Sequence, residues 1–154
     1  MKINSEGLAI ITQYESFRSK PYLCPAGVPT IGYGTTRYPN GKAVTLADAP
    51  ITKEVALQYK LHTLGYMERA VRSMLKVTLS DNRYSAIMSL VYNIGVGAFS
   101  RSTLLKVVNE MPGAPGIRDN FMAYNKITDP ITKKKVVSTG LSNRRRAEAD
   151  LYFS

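Results

Sequence analysis

The chain has almost none of the residues that build disulfide frameworks and metal centres. Its 154 residues include one cysteine, Cys24, and one histidine, His62. A single thiol excludes an internal disulfide framework and any multi-cysteine metal site, and it fits synthesis in a reducing cytosol. Because His62 has no second plausible ligand nearby in the sequence, we expect an exposed histidine, no metal ion and no cofactor.

Long hydrophobic runs are also absent. No run approaches the roughly 18 apolar residues that a membrane-spanning helix needs. The apolar run at residues 8–11 is much shorter than the roughly 7–15-residue core of a secretory signal. We therefore expect a soluble, globular protein that is made in the cytoplasm without a signal peptide.

Acidic residues are scarce relative to basic ones. The chain has 21 Lys and Arg against 11 Asp and Glu, which gives a formal net charge of +10. Such a charge attracts polyanions, and both nucleic acid and an anionic cell envelope qualify. Residues 133–135 and 144–146 would supply phosphate contacts, although the chain shows no recognised nucleic-acid motif. A non-catalytic basic module that binds nucleic acid or an anionic envelope therefore stays an alternative to an enzyme.

Hydrophobic periodicity predicts an α+β chain that is mainly α. The first helix begins after a cap at Asn4 or Ser5. Its apolar stripe consists of Ile10, Ile11, Tyr14 and Phe17. Residues 30–36 and the Asn40-Gly41 turn predict a small β-hairpin element. An uninterrupted pattern over residues 52–75 predicts a helix about 35 Å long, which could bridge two lobes.

The remainder of the chain predicts further helices. Ser80 is placed to cap one of them. The core face of that helix contains Ile87, Leu90, Val91 and Ile94. Asp129-Pro130 predicts a turn, and a last basic helix ends near Phe153.

Glu15 differs from the other early acidic residues in its setting. It falls at the margin of the apolar stripe, one turn after Ile11, and just before a glycine-rich strand. A carboxyl group in such a partly dry setting retains its proton more readily, which a general acid requires near neutral pH. The alternative is a surface carboxylate paired with Arg18 or Lys20.

Three short blocks follow one another along the chain. In the first, Cys24 follows Glu15 by nine positions and Thr30 follows Cys24 by six, within Glu-Ser-Phe-Arg and Thr-Ile-Gly-Tyr-Gly. The second block covers residues 93–105, and the third covers residues 140–148 with Gly-Leu and Arg-Arg-Arg-Ala-Glu. Together they resemble the phage lysozyme family, glycoside hydrolase family 24, whose triad is Glu, Asp or Cys, and Thr.

The resemblance implies a lysozyme-like fold for residues 1–154 as a single domain. A small lobe with the β-hairpin would span about residues 14–55, and a long connecting helix about residues 52–75. A larger helical lobe would take residues 76–154 together with the N-terminal helix. The glycan cleft would lie between the lobes.

The implied activity is that of a muramidase, which hydrolyses the β-1,4 bond between N-acetylmuramic acid and N-acetylglucosamine in peptidoglycan. Glu15 would protonate the leaving oxygen, and Thr30 would hold a water or steady the intermediate. The family also implies an endolysin, which acts on the cell wall in the periplasm after release from the host cytoplasm through a holin. We expect a monomer that requires no nucleic acid.

Cys24 stands where glycosidases usually have a second carboxylate. Its thiol would act as a base or nucleophile only with a lowered pKa, which Arg18 or Lys20 could provide. The alternative role is that of a small buried hydrophobe.

The family blocks imply sugar contacts in the helical lobe. The candidate residues are Tyr92, Asn93, Ser102, Arg144 and Arg145. Core filling is the alternative for the tyrosine, helix capping for the asparagine and serine, and a solvated face for the arginines. Residues 144–153 also combine arginine with apolar side chains, so this basic C-terminal helix could contact an anionic outer membrane.

Overall fold

The computed structural model describes all residues, 1–154, as seven helices and four short strands. In chain order these elements are α1 Ser5–Tyr14, β1 Arg18–Leu23, β2 Pro29–Gly32, α2 Lys53–Met74, α3 Asp81–Ile94, α4 Val96–Ser100, α5 Thr103–Glu110, α6 Ile117–Met122, β3 Lys126–Thr128, β4 Lys135–Val137 and α7 Thr139–Phe153. The predicted α+β fold class with a helical majority is confirmed. No helix combines the length and the apolar character that crossing a membrane demands.

The chain divides into two compact units. The smaller unit is Glu15–Glu68, and the larger unit combines Met1–Tyr14 with Arg69–Ser154. The smaller unit contains both β1 and β2 and most of α2, whereas the larger unit contains the other helices and the β3–β4 pair. That the two units form one lysozyme domain stays a prediction.

Helix α1 begins at an asparagine cap. The Asn4 Oδ1 accepts a hydrogen bond from the backbone N–H of Gly7 at 3.0 Å, so Asn4 rather than Ser5 is the cap. Asn4 is itself held to α3, because its own N–H donates to the Ser85 hydroxyl at 2.9 Å. The helix ends at Tyr14. The prediction that Phe17 continues its apolar stripe is therefore wrong, since the chain turns into β1 from Arg18 onward.

The smaller unit is built on an antiparallel pair that the sequence predicted only in part. β1 pairs with β2 in a register that sets Tyr22 opposite Thr30, with a bulge between Arg18 and Tyr22. β1 was not predicted, because Pro21 indicated a break. A proline lacks the N–H that a regular ladder needs but is tolerated at a bulge. The Asn40-Gly41 turn is confirmed, with the Gly41 N–H donating to the Tyr38 carbonyl at 2.9 Å.

The long helix α2 is confirmed to within one residue at each end. Its buried residues are Ala56, Lys60, Leu64 and Val71. Tyr66 of the same helix is exposed over 67% of its surface. His62 is exposed, as predicted.

The core of the larger unit lies between α3 and α7. The Ser80 cap is confirmed by the N–H of Arg83, which donates to its hydroxyl at 3.3 Å. The buried residues of α3 run without interruption over 84–91, so this helix is central to the unit. The short strands β3 and β4 were not predicted, because three exposed residues each give no alternating pattern. The predicted turn at Asp129-Pro130 joins them.

A buried charge network joins α7 to α3. Glu148 is fully buried, and the guanidinium groups of Arg144 and Arg145 contact its two carboxylate oxygens at 3.1 and 2.7 Å. The Ser89 hydroxyl of α3 donates to the same carboxylate at 2.6 Å. Burial raises the pKa of the Glu148 carboxyl, while the arginines and this hydroxyl act in the opposite direction. The alternative of a solvated face is therefore wrong for Arg144 and Arg145, and Arg146 alone of the three is exposed.

We predict that Glu148→Gln destabilises the protein strongly. The substitution removes the carboxylate that both buried guanidinium groups contact, and breaking a buried ion pair by removing one partner costs about 3–5 kcal/mol. The matched control is Asp150→Asn on the same helix, because Asp150 pairs with Arg118 on the exposed surface and such pairs contribute about 1 kcal/mol or less. Urea unfolding midpoints measure both variants. Equal midpoints for the two variants would show that the buried network contributes no more than an exposed ion pair.

Candidate active site

Glu15 occupies the position directly after α1 and before β1. Its side chain is half-buried, as the sequence predicted. One carboxylate oxygen, Oε2, lies 3.9 Å from the point where a Cβ on Gly34 would stand, and Gly34 has a φ of +88°. This backbone conformation favours glycine. The second glycine of Gly-Tyr-Gly therefore lies directly beside the Glu15 carboxylate.

The pKa of the Tyr22 phenol responds to the charges of both Glu15 and Cys24. Burial raises the pKa of the Tyr22 phenol, and the charges of Glu15 and Cys24 raise it further. The guanidinium of Arg18 lowers it, and its carbon atom lies 4.4 Å from the centre of the Tyr22 ring. The smaller unit thus brings Glu15 and Cys24 within electrostatic reach of one side chain.

Cys24 begins the tight connection between β1 and β2. Its backbone N–H donates to the carbonyl of Val28 at 3.0 Å, and the thiol is half-buried and free. Hydrogen bonds lower the pKa of the Cys24 thiol, first from the backbone of Val28 and then from Ala26 and the Thr30 hydroxyl, while burial opposes them. These hydrogen bonds replace Arg18 and Lys20, the source that the sequence suggested. Hydrogen bonds from the local backbone therefore favour the thiolate form of Cys24.

Thr30 lies beside Cys24 and is buried except for 3% of its surface. Its hydroxyl donates to the Val28 carbonyl at 2.9 Å and also hydrogen-bonds to the Cys24 side chain. A threonine hydroxyl carries one proton and two acceptor lone pairs. The Thr30 proton therefore serves either the Val28 carbonyl or the Cys24 sulfur. All three members of the predicted triad lie in the smaller unit.

The larger unit holds the residues that the family blocks implied for sugar contact. Asn93 is exposed near the end of α3, and it accepts a hydrogen bond from Arg145 Nη1 at 2.9 Å. Asn93 therefore holds the Arg145 side chain in place and does not cap a helix. Asn93 also lines a cavity of about 480 Å³ with Tyr124 and Lys126. Its neighbour Tyr92 is half-buried.

Ser102 lies at a different cavity of the larger unit. Its hydroxyl accepts a hydrogen bond from the Leu105 N–H at 3.0 Å and donates to the Phe99 carbonyl at 2.7 Å. The helix-capping alternative is thus confirmed for Ser102, whose hydroxyl proton is committed inside the protein.

Sequence reasoning missed Lys60, a fully buried cation under the glycine-rich strand. Its ammonium nitrogen lies 3.9 Å from the centre of the Tyr33 ring, and the Tyr33 ring contacts that of Phe17 at 5.5 Å between centroids. Phe17 lies two residues after Glu15 in the sequence, and Tyr33 directly precedes Gly34. No sequence signal marks Lys60, because a lysine within an amphipathic helix indicates a solvated face.

We predict that Cys24 is more acidic in the folded protein than in the unfolded chain. Because the chain has one thiol, the pH dependence of its alkylation by iodoacetamide reports Cys24 alone. The midpoint should lie below that of the same chain in urea, since the hydrogen bonds that lower the pKa exist only after folding. Thr30→Val should raise the midpoint part of the way. A folded midpoint at or above the unfolded one would contradict the assignment.

Comparisons with known proteins agree with the three sequence blocks. The family model described as Phage lysozyme matches residues 12–148. An endolysin of Acyrthosiphon pisum secondary endosymbiont phage 1 is 38% identical over 100% of this chain and 99% of its own length. A solved endolysin from Escherichia coli O157:H7 phage FAHEc1 matches with a TM-score of 0.85 and 39% identity, covering 99% of this chain and 93% of that one.

A second solved structure extends the comparison beyond endolysins. The muramidase domain of SpmX from Asticaccaulis excentricus matches with a TM-score of 0.83 and 25% identity, over 99% of this chain and 98% of that one. The family match covers most of the chain, and the sequence and structural likenesses run almost from end to end. This chain belongs to the phage lysozyme family.

Proposed function

We propose that Glu15 is the general acid of a muramidase that cleaves the β-1,4 bond between N-acetylmuramic acid and N-acetylglucosamine. The enzyme hydrolyses peptidoglycan as an endolysin and thereby lyses the host cell. Family membership supports the reaction type. The observation that carries the assignment of Glu15 is its half-buried carboxylate beside Gly34, in one electrostatic environment with Cys24.

The acid step uses the position of Glu15 directly. Its protonated carboxyl group donates to the oxygen that leaves from C1 of N-acetylmuramic acid, while the C1–O bond breaks. The carboxylate that results recovers a proton from solvent before the next cycle.

Cys24 and Thr30 act on the water that replaces the leaving group. The Cys24 thiolate accepts a proton from this water as the water oxygen bonds to C1, and the Thr30 hydroxyl orients the water. A lowered pKa of the thiol favours the thiolate that this role requires. Asp48 of the same unit is engaged elsewhere, because its carboxylate accepts hydrogen bonds from Tyr38 and Thr45.

In the larger unit, Tyr92 and Asn93 are proposed to contact the sugar chain. Arg145 acts through Asn93, because its guanidinium holds the Asn93 carbonyl oxygen while it remains paired with Glu148. Arg145 is thus a positioning residue. Arg144 and Ser102 support the structure of the larger unit from its interior. The Arg144 guanidinium is bound to Glu148, and the Ser102 hydroxyl caps the start of α5.

Endolysin relatives support action on the cell wall. We propose that this chain acts as a monomer and reaches the wall after holin-dependent release from the host cytoplasm. Contact of the C-terminal helix with an anionic outer membrane has less support than the sequence indicated. Of the arginines at 144–146, two are buried in the ion-pair network, so α7 presents one of them to solvent.

Replacement of Glu15 by glutamine tests the acid. Glu15→Gln should lower the rate of peptidoglycan hydrolysis by about a hundredfold to ten-thousandfold, because the amide has no proton of comparable acidity to donate. Turbidity loss of purified peptidoglycan gives the rate, and mass spectrometry should find reducing N-acetylmuramic acid ends in the wild-type digest. The matched control is Glu6→Gln, an exposed carboxylate in the first turn of α1. Full activity of Glu15→Gln would refute Glu15 as the acid, whereas a wild type that does not hydrolyse peptidoglycan would favour a non-catalytic binder.

Substitution of Cys24 tests the base through the pH profile. The base must be deprotonated, so the wild-type rate should fall as pH drops through the lowered pKa of the thiol. Cys24→Asp should move this fall to a lower pH, toward the ordinary range of a carboxyl group. Cys24→Ala, which keeps a small side chain without a base, should lose most activity. An unchanged rate and pH profile in Cys24→Ala would leave the thiol only a packing role.

A further inference from the structure

The β3–β4 hairpin, residues 126–137, exposes an unusual amount of apolar surface. Strands β3 and β4 pair in register, with Lys126 opposite Val137 and Thr128 opposite Lys135. Ile131, at the tip, is 89% exposed, which exceeds the exposure of every other large hydrophobic side chain in the structure. The other exposed aliphatic residues of the hairpin are Ile127, Val136 and Val137. Exposed apolar side chains that cluster in this way indicate a surface that meets something else.

The same hairpin concentrates positive charge. Its four lysines are Lys126, Lys133, Lys134 and Lys135, and its one acidic residue is Asp129. The Asp129 carboxylate is committed to the turn, because its Oδ1 accepts the backbone N–H groups of Ile131 and Thr132, each at 2.8 Å. The hairpin therefore has an exposed aliphatic side chain at its tip, three lysines at 133–135 and a fourth lysine at its base.

Local hydrogen bonds hold the tip in one shape. The Asp129 N–H donates to the Lys134 carbonyl at 2.8 Å, and the Lys133 N–H donates to the Asp129 carbonyl at 2.9 Å. At the base, the Ser138 N–H donates to the Asn125 carbonyl at 2.8 Å. Ile131 is thus presented outward by a turn that is already formed, so binding need not order it.

We propose that this hairpin docks the enzyme onto an anionic lipid bilayer. Ile131 enters the boundary between headgroups and acyl chains, and Lys133 and Lys134 lie among the lipid phosphates. The isoleucine at the tip offers no hydrogen bond to a polar glycan strand. Nucleic acid would favour aromatic side chains for base stacking, and residues 126–137 contain none. The hairpin is a different surface from the C-terminal helix, and its docking does not depend on the hydrolytic step.

Vesicle binding by the full chain tests the docking. Wild type should sediment with vesicles of phosphatidylglycerol and phosphatidylcholine, and only weakly with vesicles of phosphatidylcholine alone. Lys133→Gln with Lys134→Gln should reduce binding to the anionic vesicles roughly thirtyfold, because each lysine near an anionic surface strengthens binding about fivefold. The charge-matched control is Lys42→Gln with Lys106→Gln, two exposed lysines outside the hairpin.

A fluorescent reporter tests the insertion of the tip separately. The chain contains no tryptophan, so Ile131→Trp gives a single indole signal. Its emission should shift to shorter wavelength with anionic vesicles and be quenched by brominated lipid. Met111→Trp, at another exposed apolar position of the same unit, should show neither change.

The outcomes separate docking from catalysis and from general charge attraction. Glu15→Gln should bind the vesicles as the wild type does. Equal losses of affinity for the hairpin pair and the control pair would overturn the proposal, because net charge alone would then explain the binding. A tryptophan at position 131 whose emission shows that it stays in water would also overturn the proposal. The same holds if the hairpin variants bind purified peptidoglycan more weakly while no form of the chain binds vesicles.

Discussion

The structure of the larger unit depends on one buried carboxylate. Glu148 cannot remain charged in the interior without partners, and it finds them in Arg144, Arg145 and the Ser89 hydroxyl. This requirement fixes how α7 lies against α3. Because Arg145 also holds Asn93, the same requirement sets the position of a side chain that we assign to the substrate. In this unit the buried ion pairs therefore also determine the position of Asn93.

The smaller unit reaches its chemistry by a different route. Its triad residues are placed by a short antiparallel pair and the tight connection after Cys24, so the backbone itself supplies the groups that acidify the thiol. The Glu15 carboxylate lies beside Gly34, whose positive φ favours glycine. A buried cation, Lys60, lies on Tyr33 beneath this strand. Local backbone hydrogen bonds therefore do in this unit what buried ion pairs do in the larger unit.

The sequence predicted what depends on local patterns and missed what depends on distant partners. Periodicity located α2 to within one residue at each end, and capping chemistry located the starts of α1 and α3. β1 was hidden by Pro21, whose tolerance rests on a bulge that only the partner strand creates. The burial of Arg144 and Arg145 was hidden for a similar reason, because α3 contributes Ser89 and the enclosing surface. The blocks around Glu15, Cys24 and Thr30 gave the family directly, but not the source of the thiol's acidity.

The Glu148 network also constrains how this protein can diverge. A carboxylate shared by two interior guanidinium groups makes each member harmful to lose alone, whereas exchange of the whole set for well-packed apolar residues is far less harmful. Mutational histories that preserve the fold must therefore change these positions jointly or leave all of them in place. Glu148, Arg144 and Arg145 therefore constrain one another's substitution.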